Sequence, residues 1–166
     1  MIAAREHVAV GGGSAGGNLA AALTLASRDS AGPPISFQFL FVPASDISGT
    51  QKWSSYEETG DKYMLKVSEI ERIIALYTPN PSDRLLAAAS PLLATSHKGL
   101  PPALIVTAQF DPLRDQGEAY ARRLESAGVP VVLHREKGAI HGLIGTDRRF
   151  ISVYEMAADS LREHFS

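Results

Sequence analysis

The chain has 166 residues, 45% of them hydrophobic and 20% charged, an ordinary globular composition with enough apolar content for one domain and its core. Sixteen basic against eighteen acidic residues give a formal net charge of −2, with no basic cluster or basic-aromatic face, which argues against nucleic acid as a partner. No apolar run approaches the roughly 20 residues that span a bilayer, the start Met1–His7 has no signal pattern, and the absence of cysteine excludes disulfides and cysteine-zinc sites. The expectation is a cytoplasmic protein without membrane contact.

Residues 7–10 read as a short apolar strand that stops at Gly11. The helix after it carries Leu19, Ala22, Leu23 and Ala26 at helical spacing and ends at Gly32-Pro33-Pro34. Ile35 to Val42 is a second strand, closed by Pro43, and strand, helix, strand predicts a parallel pair with a right-handed crossover. From Ala44 to about Lys66 the pattern is that of a long loop with scattered aromatics, either a lid or binding segment or a plain surface excursion. Ser68 and Glu71 suggest a capping box, and Ile70, Ile73, Ile74 and Tyr77 predict a core-facing helix. Ser90-Pro91-Leu92-Leu93 reads as an irregular connector. Ala103 to Ala108 is a third strand, and Asp111-Pro112 starts a helix with Tyr120, Leu124 and Ala127 on one side. Val129 to Leu133 is a fourth strand, Gly138 to Gly142 a glycine-bounded loop. A closing helix presents Phe150, Val153, Tyr154, Ala157, Ala158 and Leu161 inward. Four strands alternating with helices make an α/β chain with a parallel sheet of about four strands flanked by helices.

The glycines of the first turn admit three readings. Gly12-Gly13-Ser14-Ala15-Gly16 matches the G-x-S-x-G nucleophile elbow. Gly11, Gly13 and Gly16 also satisfy the dinucleotide fingerprint G-x-G-x-x-G, with Asp46 as the candidate ribose partner, although it lies later than that fingerprint usually allows. A glycine-rich turn that binds nothing is the third. The positions of the other polar residues favour the elbow. In an open parallel sheet, functional groups gather at the carboxyl ends of strands. Ser14 follows the first strand, Asp111 the third and His141 the fourth. That order along the chain, serine then acid then histidine, is the order of the α/β-hydrolase triad. A serine hydroxyl needs an imidazole to take its proton, and the imidazole needs a carboxylate to fix its tautomer. Each residue also has a plainer role open to it: Ser14 as a small turn residue, Asp111 as a helix cap, His141 as a loop histidine like His7, His97, His134 and His164.

Gly12 to Ala20, Ser90-Pro91-Leu92-Leu93, Leu100-Pro101-Pro102-Ala103, Phe110 to Gly117 with Tyr120-Ala121, and Ile140-His141-Gly142 together resemble the hormone-sensitive-lipase family of α/β-hydrolases. The resemblance implies a partial α/β-hydrolase fold, with residues 1–166 as the C-terminal portion of the domain and 44–95 as a lid or cap-like excursion. It implies Ser14 as nucleophile, Asp111 as acid, His141 as general base and the Ala15 amide as one oxyanion donor. The expected activity is hydrolysis of short- to medium-chain acyl esters through an acyl-serine, with no metal or organic cofactor. Gly13 stands where the family usually has aspartate, and Leu143 where it usually has phenylalanine. The family's His-Gly-Gly oxyanion loop is not among these residues, so the isolated chain is expected to be an impaired esterase. Val8-Ala9-Val10 is then expected to present an unpaired edge, calling for a companion N-terminal segment or a homo-oligomer; the last strand, through which the family tends to dimerise, offers a second route. The alternatives are a catalytically silent hydrolase fragment acting as a binding or assembly module and, more weakly, a nucleotide-binding βαβ protein.

Overall fold

The computed structural model of the chain describes residues 8–142 and 151–165. Four parallel strands, β1 (Ala9–Gly13), β2 (Phe37–Phe41), β3 (Ala103–Phe110) and β4 (Val131–Ile140), form one sheet in the order β1-β2-β3-β4. Around them lie helices α1 (Ala15–Asp29), α2 (Ser54–Thr59), α3 (Val67–Tyr77), α4 (Arg114–Ser126) and α5 (Ile151–Phe165), with short 3₁₀ turns at Pro81–Leu85 and Pro91–Leu93. Successive strand residues point to opposite faces, so a continuously apolar strand supplies two cores at once. Leu40, Ala103 and Ile105 pack under α1 and α4, against Ala21, Leu25, Tyr120 and Leu124. Phe39, Leu104, Val106 and Ala108 pack on the other face, with Val153 of α5.

Several elements depart from the pattern read in the sequence. Strand β1 runs on through Gly11 to Gly13, because the glycines pair in register with Phe39, Leu40 and Phe41. The stripe Leu19, Ala22, Leu23, Ala26 is not the buried face of α1: Leu19 and Leu23 are exposed, whereas Asn18, Ala21, Thr24 and Leu25 are buried. Small residues let the helix sit close to the sheet, and that selection outweighs side-chain hydropathy. The excursion after β2 is not all loop, since it contains α2. Helix α3 begins at Val67 rather than at a Ser68 box, and the Glu69 carboxylate accepts from the Lys66 N–H at 3.2 Å. Of its stripe only Ile70 is buried, and Ile73 and Tyr77 are exposed. Pro112 precedes α4 rather than opening it. Strand β4 extends to Ile140, into the stretch expected as a loop. Tyr154 is exposed, and Phe150, His7, Leu143 and the His164 side chain lie outside the described residues.

His97 is buried rather than a free loop histidine, with its Nε2 at 3.0 Å from the Pro91 carbonyl oxygen and its ring edge-on to Tyr120. Burial holds its pKa below the ordinary 6.5, with smaller pushes downward from Arg123 and Arg28 and an opposing one upward from the Pro91 bond. In this pH range the unfolded chain therefore binds the proton that the folded chain refuses. The contribution is complete above pH 6.5 and erodes as pH falls below it. The melting temperature should fall between pH 7.5 and the acid side of that value, and fall less in His97→Gln, as thermal denaturation across that pH series would show.

Candidate active site

The first strand end carries Ser14, whose backbone stands at φ 56°, ψ −117°, a region that residues with a side chain rarely occupy. Main-chain bonds hold it there. Its N–H donates to the Phe41 carbonyl at 2.8 Å, and its own carbonyl accepts from Asn18 at 3.1 Å and Ala44 at 3.2 Å. A serine before a helix ordinarily turns its hydroxyl onto the first-turn amides. Ser14 makes no such bond, so Oγ is free to face across the strand ends. The turn closes only because glycines flank it: a Cβ on Gly12 would fall against the backbone of Gly16. Ala15 is exposed and opens α1, which leaves its N–H among the first-turn donors without an intrahelical acceptor.

The register of β3 and β4 brings the other two groups together. Ala108 pairs with Glu136, but Phe110 pairs with Ile140, so β4 spends two more residues than β3 between these pairs. Gly138, at φ 73°, makes the detour, and its N–H is held by the Gln109 side chain at 2.8 Å. Two residues of strand amount to about 6.6 Å of rise. Without the bulge His141 would overshoot Asp111 by that much; with it, the two residues immediately follow a paired couple. His141 Nδ1 lies 2.8 Å from Asp111 Oδ2, and His141 Nε2 lies 3.0 Å from Ser14 Oγ. Asp111 is fully buried, and its other oxygen accepts from the Leu113 N–H at 2.8 Å. The carboxylate thus both caps the turn into α4 and faces the imidazole.

Residues that the sequence pattern did not single out fasten this arrangement. The Ser55 hydroxyl donates to the Pro112 carbonyl at 2.6 Å and its N–H to the Asp115 carboxylate at 2.8 Å. Arg114 ties Glu58 of α2 to Asp115 at 2.8 and 2.9 Å. Tyr63 stacks on Phe110, ring centres 5.1 Å apart, and the Met64 methyl occupies the space a Cβ on Gly142 would need. The excursion therefore grips the residues beside the acid and beside the histidine. No periodicity marks such a grip; the clustered aromatics were its only trace. Ala31 at φ 50° and Val42 at φ 41° also stand at positive φ; Val42 is buried in one cluster with Phe37 and Phe39, and its N–H donates to the Val106 carbonyl at 2.7 Å.

A cavity of about 280 Å³ opens beside Ser14, walled mainly by apolar side chains such as Leu19, Leu65, Ile73 and Tyr77. Leu19 of α1 and the apolar stripe of α3 thus line a common hollow, which explains why Leu19, Ile73 and Tyr77 stay out of the core. Asp46, the ribose candidate, spends its Oδ1 on the N–H and hydroxyl of Ser48, at 2.9 and 2.6 Å. Among the described residues no group of three or more acidic or histidine side chains could hold a metal, and no helix is long and apolar enough to cross a membrane.

A protein-family model described as alpha/beta hydrolase fold matches residues 2–145. The chain belongs to that family of α/β-hydrolases. It is 39% identical over 146 residues to the carboxylesterase NlhH of Mycobacterium tuberculosis, covering 84% of this chain and 44% of the relative. It is 37% identical over 159 residues to an ethyl acetate hydrolase of Pseudomonas putida, covering 94% of this chain and 48% of that one. The solved structure of a hyperthermophilic esterase from the archaeon Pyrobaculum calidifontis superposes with a TM-score of 0.87 at 35% identity, over 93% of this chain and 52% of that one. The chain spans about half the length of these relatives.

Gly138 has open space around its Cβ position, so a side chain there would meet only backbone strain. Gly138→Val should lower unfolding stability by about 1–2 kcal/mol, read as a shift in the urea midpoint; an unchanged midpoint would show that the detour in β4 does not need its glycine.

Proposed function

We propose that this chain carries the catalytic half of a serine carboxylesterase that acts on short- to medium-chain acyl esters. The observation that supports it is the continuous run of hydrogen-bonding distances from Ser14 Oγ through His141 to buried Asp111, beside an apolar hollow. Ser14 Oγ attacks the ester carbonyl while His141 Nε2 takes its proton. The negative oxygen of the tetrahedral intermediate accepts from the Ala15 N–H, strengthened by the positive end of α1. His141 then protonates the leaving alcohol, and in the second half it deprotonates the water that releases the acid. Asp111 holds the imidazole tautomer and faces the charge that forms on it.

Two further parts belong to this reading. Residues 44–95 serve as a lid or cap-like excursion, with α3 as the outer wall of the acyl pocket. The remaining oxyanion donors come from a His-Gly-Gly loop outside these 166 residues, in a companion segment that pairs with β1, whose partner among the described residues is β2 alone. A second copy of the chain at that edge is the alternative. The half-length match to the relatives favours a slow enzyme when the chain stands alone, since each missing oxyanion donor slows turnover by about 10²–10³-fold.

Hydrolysis of 4-nitrophenyl butyrate by the purified chain should exceed the buffer rate and return to it in Ser14→Ala and His141→Ala. Asp111→Asn should lose about 10⁴-fold in kcat, or fall to the detection floor. Turnover that survives Ser14→Ala would contradict the reading, and a folded chain with no turnover would favour the silent binding or assembly module.

A further inference from the structure

Tyr56 and Asp46 border the cavity beside Ser14 and also a neighbouring one of about 360 Å³, so they form part of the wall between the two. The Gln116 amide joins them. Its Oε1 accepts from the Asp46 N–H at 2.8 Å, and its Nε2 lies 3.2 Å from the Tyr56 hydroxyl. A backbone N–H can only donate, so the amide cannot be turned the other way round. Nε2 must then donate, and the Tyr56 oxygen must accept. The phenol keeps its own proton, for which no acceptor stands among the described residues. Burial, above all, pushes Tyr56 up to about 12, with Asp46, Asp111 and Glu71 adding to it against the Gln116 bond, so the proton stays in place through the working range of an esterase.

We propose that Tyr56 is a substrate-binding residue that donates its hydroxyl to a second oxygen of the ester, beyond the scissile group. Esters with an ether, keto or further ester oxygen in the acyl or alcohol part form the matching class. The acceptor is neutral: among the described residues no Lys or Arg lines the cavity beside Ser14, and Asp46 is buried on its wall with Oδ2 lacking a partner among them. A carboxylate brought alongside Asp46 would meet repulsion with no compensating cation among the described residues that line this cavity. The identity of the ligand as an ester rests on the proposed function; the uncommitted proton does not.

Binding can be read without turnover. Isothermal titration calorimetry reads it, since Trp53, the single tryptophan of the chain, lines the neighbouring cavity and not the one beside Ser14. Ser14→Ala is titrated with ethyl methoxyacetate and with ethyl butyrate, which differ by one ether oxygen in place of a methylene, and the titrations are repeated with Tyr56→Phe added. The affinity ratio of the first ester to the second should fall about three- to tenfold when the hydroxyl is removed, the worth of one hydrogen bond. Melting curves check that the variant is folded, and Tyr56→Leu replaces it if it is not. The fall should be as large at pH 10 as at pH 7. An unchanged ratio, or a folded Ser14→Ala chain that binds neither ester, overturns the proposal. A chain that hydrolyses esters but shows an unchanged ratio would lose this residue's role alone; one that binds with the expected ratio but never hydrolyses would lose the esterase reading alone.

Discussion

The conformation of one residue organises the site. Ser14 sits at φ 56°, ψ −117°, and a backbone so placed persists only when its surroundings over-determine it. Here the surroundings are a strand, a helix and the turn after β2, each supplying one main-chain hydrogen bond. The glycines on either side let those elements approach, and Asn18, buried one helical turn on, bonds the Ala44 and Ala89 carbonyls at 2.6 and 2.8 Å. Relaxing Ser14 into the usual capping geometry would turn its hydroxyl inward onto the helix amides and away from His141. The strain and the orientation of the Ser14 hydroxyl are thus the same fact.

The second constraint lies on the other half of the sheet. Parallel strands put their ends on one rim, but a rim alone does not bring an imidazole within 2.8 Å of a carboxylate. The two-residue detour in β4 does that, and the α2 excursion then clamps both sides through Ser55, Arg114, Tyr63 and Met64. Apolar residues left out of the core, Leu19 on α1 with Ile73 and Tyr77 on α3, become the wall of the hollow that opens beside the serine. Core and pocket compete for the same kinds of side chain, and the approach distance of each helix to the sheet decides which receives them.

That competition also marks where sequence reading succeeds. Strands β2 and β3 are legible because buried parallel strands are apolar at every position, and Tyr120 and Leu124 because α4 is amphipathic in the ordinary way. The residues Ser14, Asp111 and His141 could be named from strand ends and chain order. Their meeting follows from the triad order as an expectation, but the means of it was not legible, because it depends on Gly138 breaking the ladder, and an isolated glycine in a strand pattern reads equally well as a loop. The buried face of α1 is hard to read for a related reason: Ala21, Thr24 and Asn18 are buried there beside Leu25, so small and polar residues share the face that apolar spacing alone would mark. Tyr56 carries no signal of its own, since its role follows from the orientation of an amide 60 residues away.

The central claim is that the imidazole and the strained serine form a working pair in this chain. A fluorophosphonate probe tests it most directly, because it traps the serine in one attack and needs no turnover. Mass spectrometry of the treated chain should show one added phosphonyl group, on the peptide containing Ser14, and labelling should drop to background in His141→Ala. A folded chain that takes up no label, or labels equally well without the imidazole, would contradict the account.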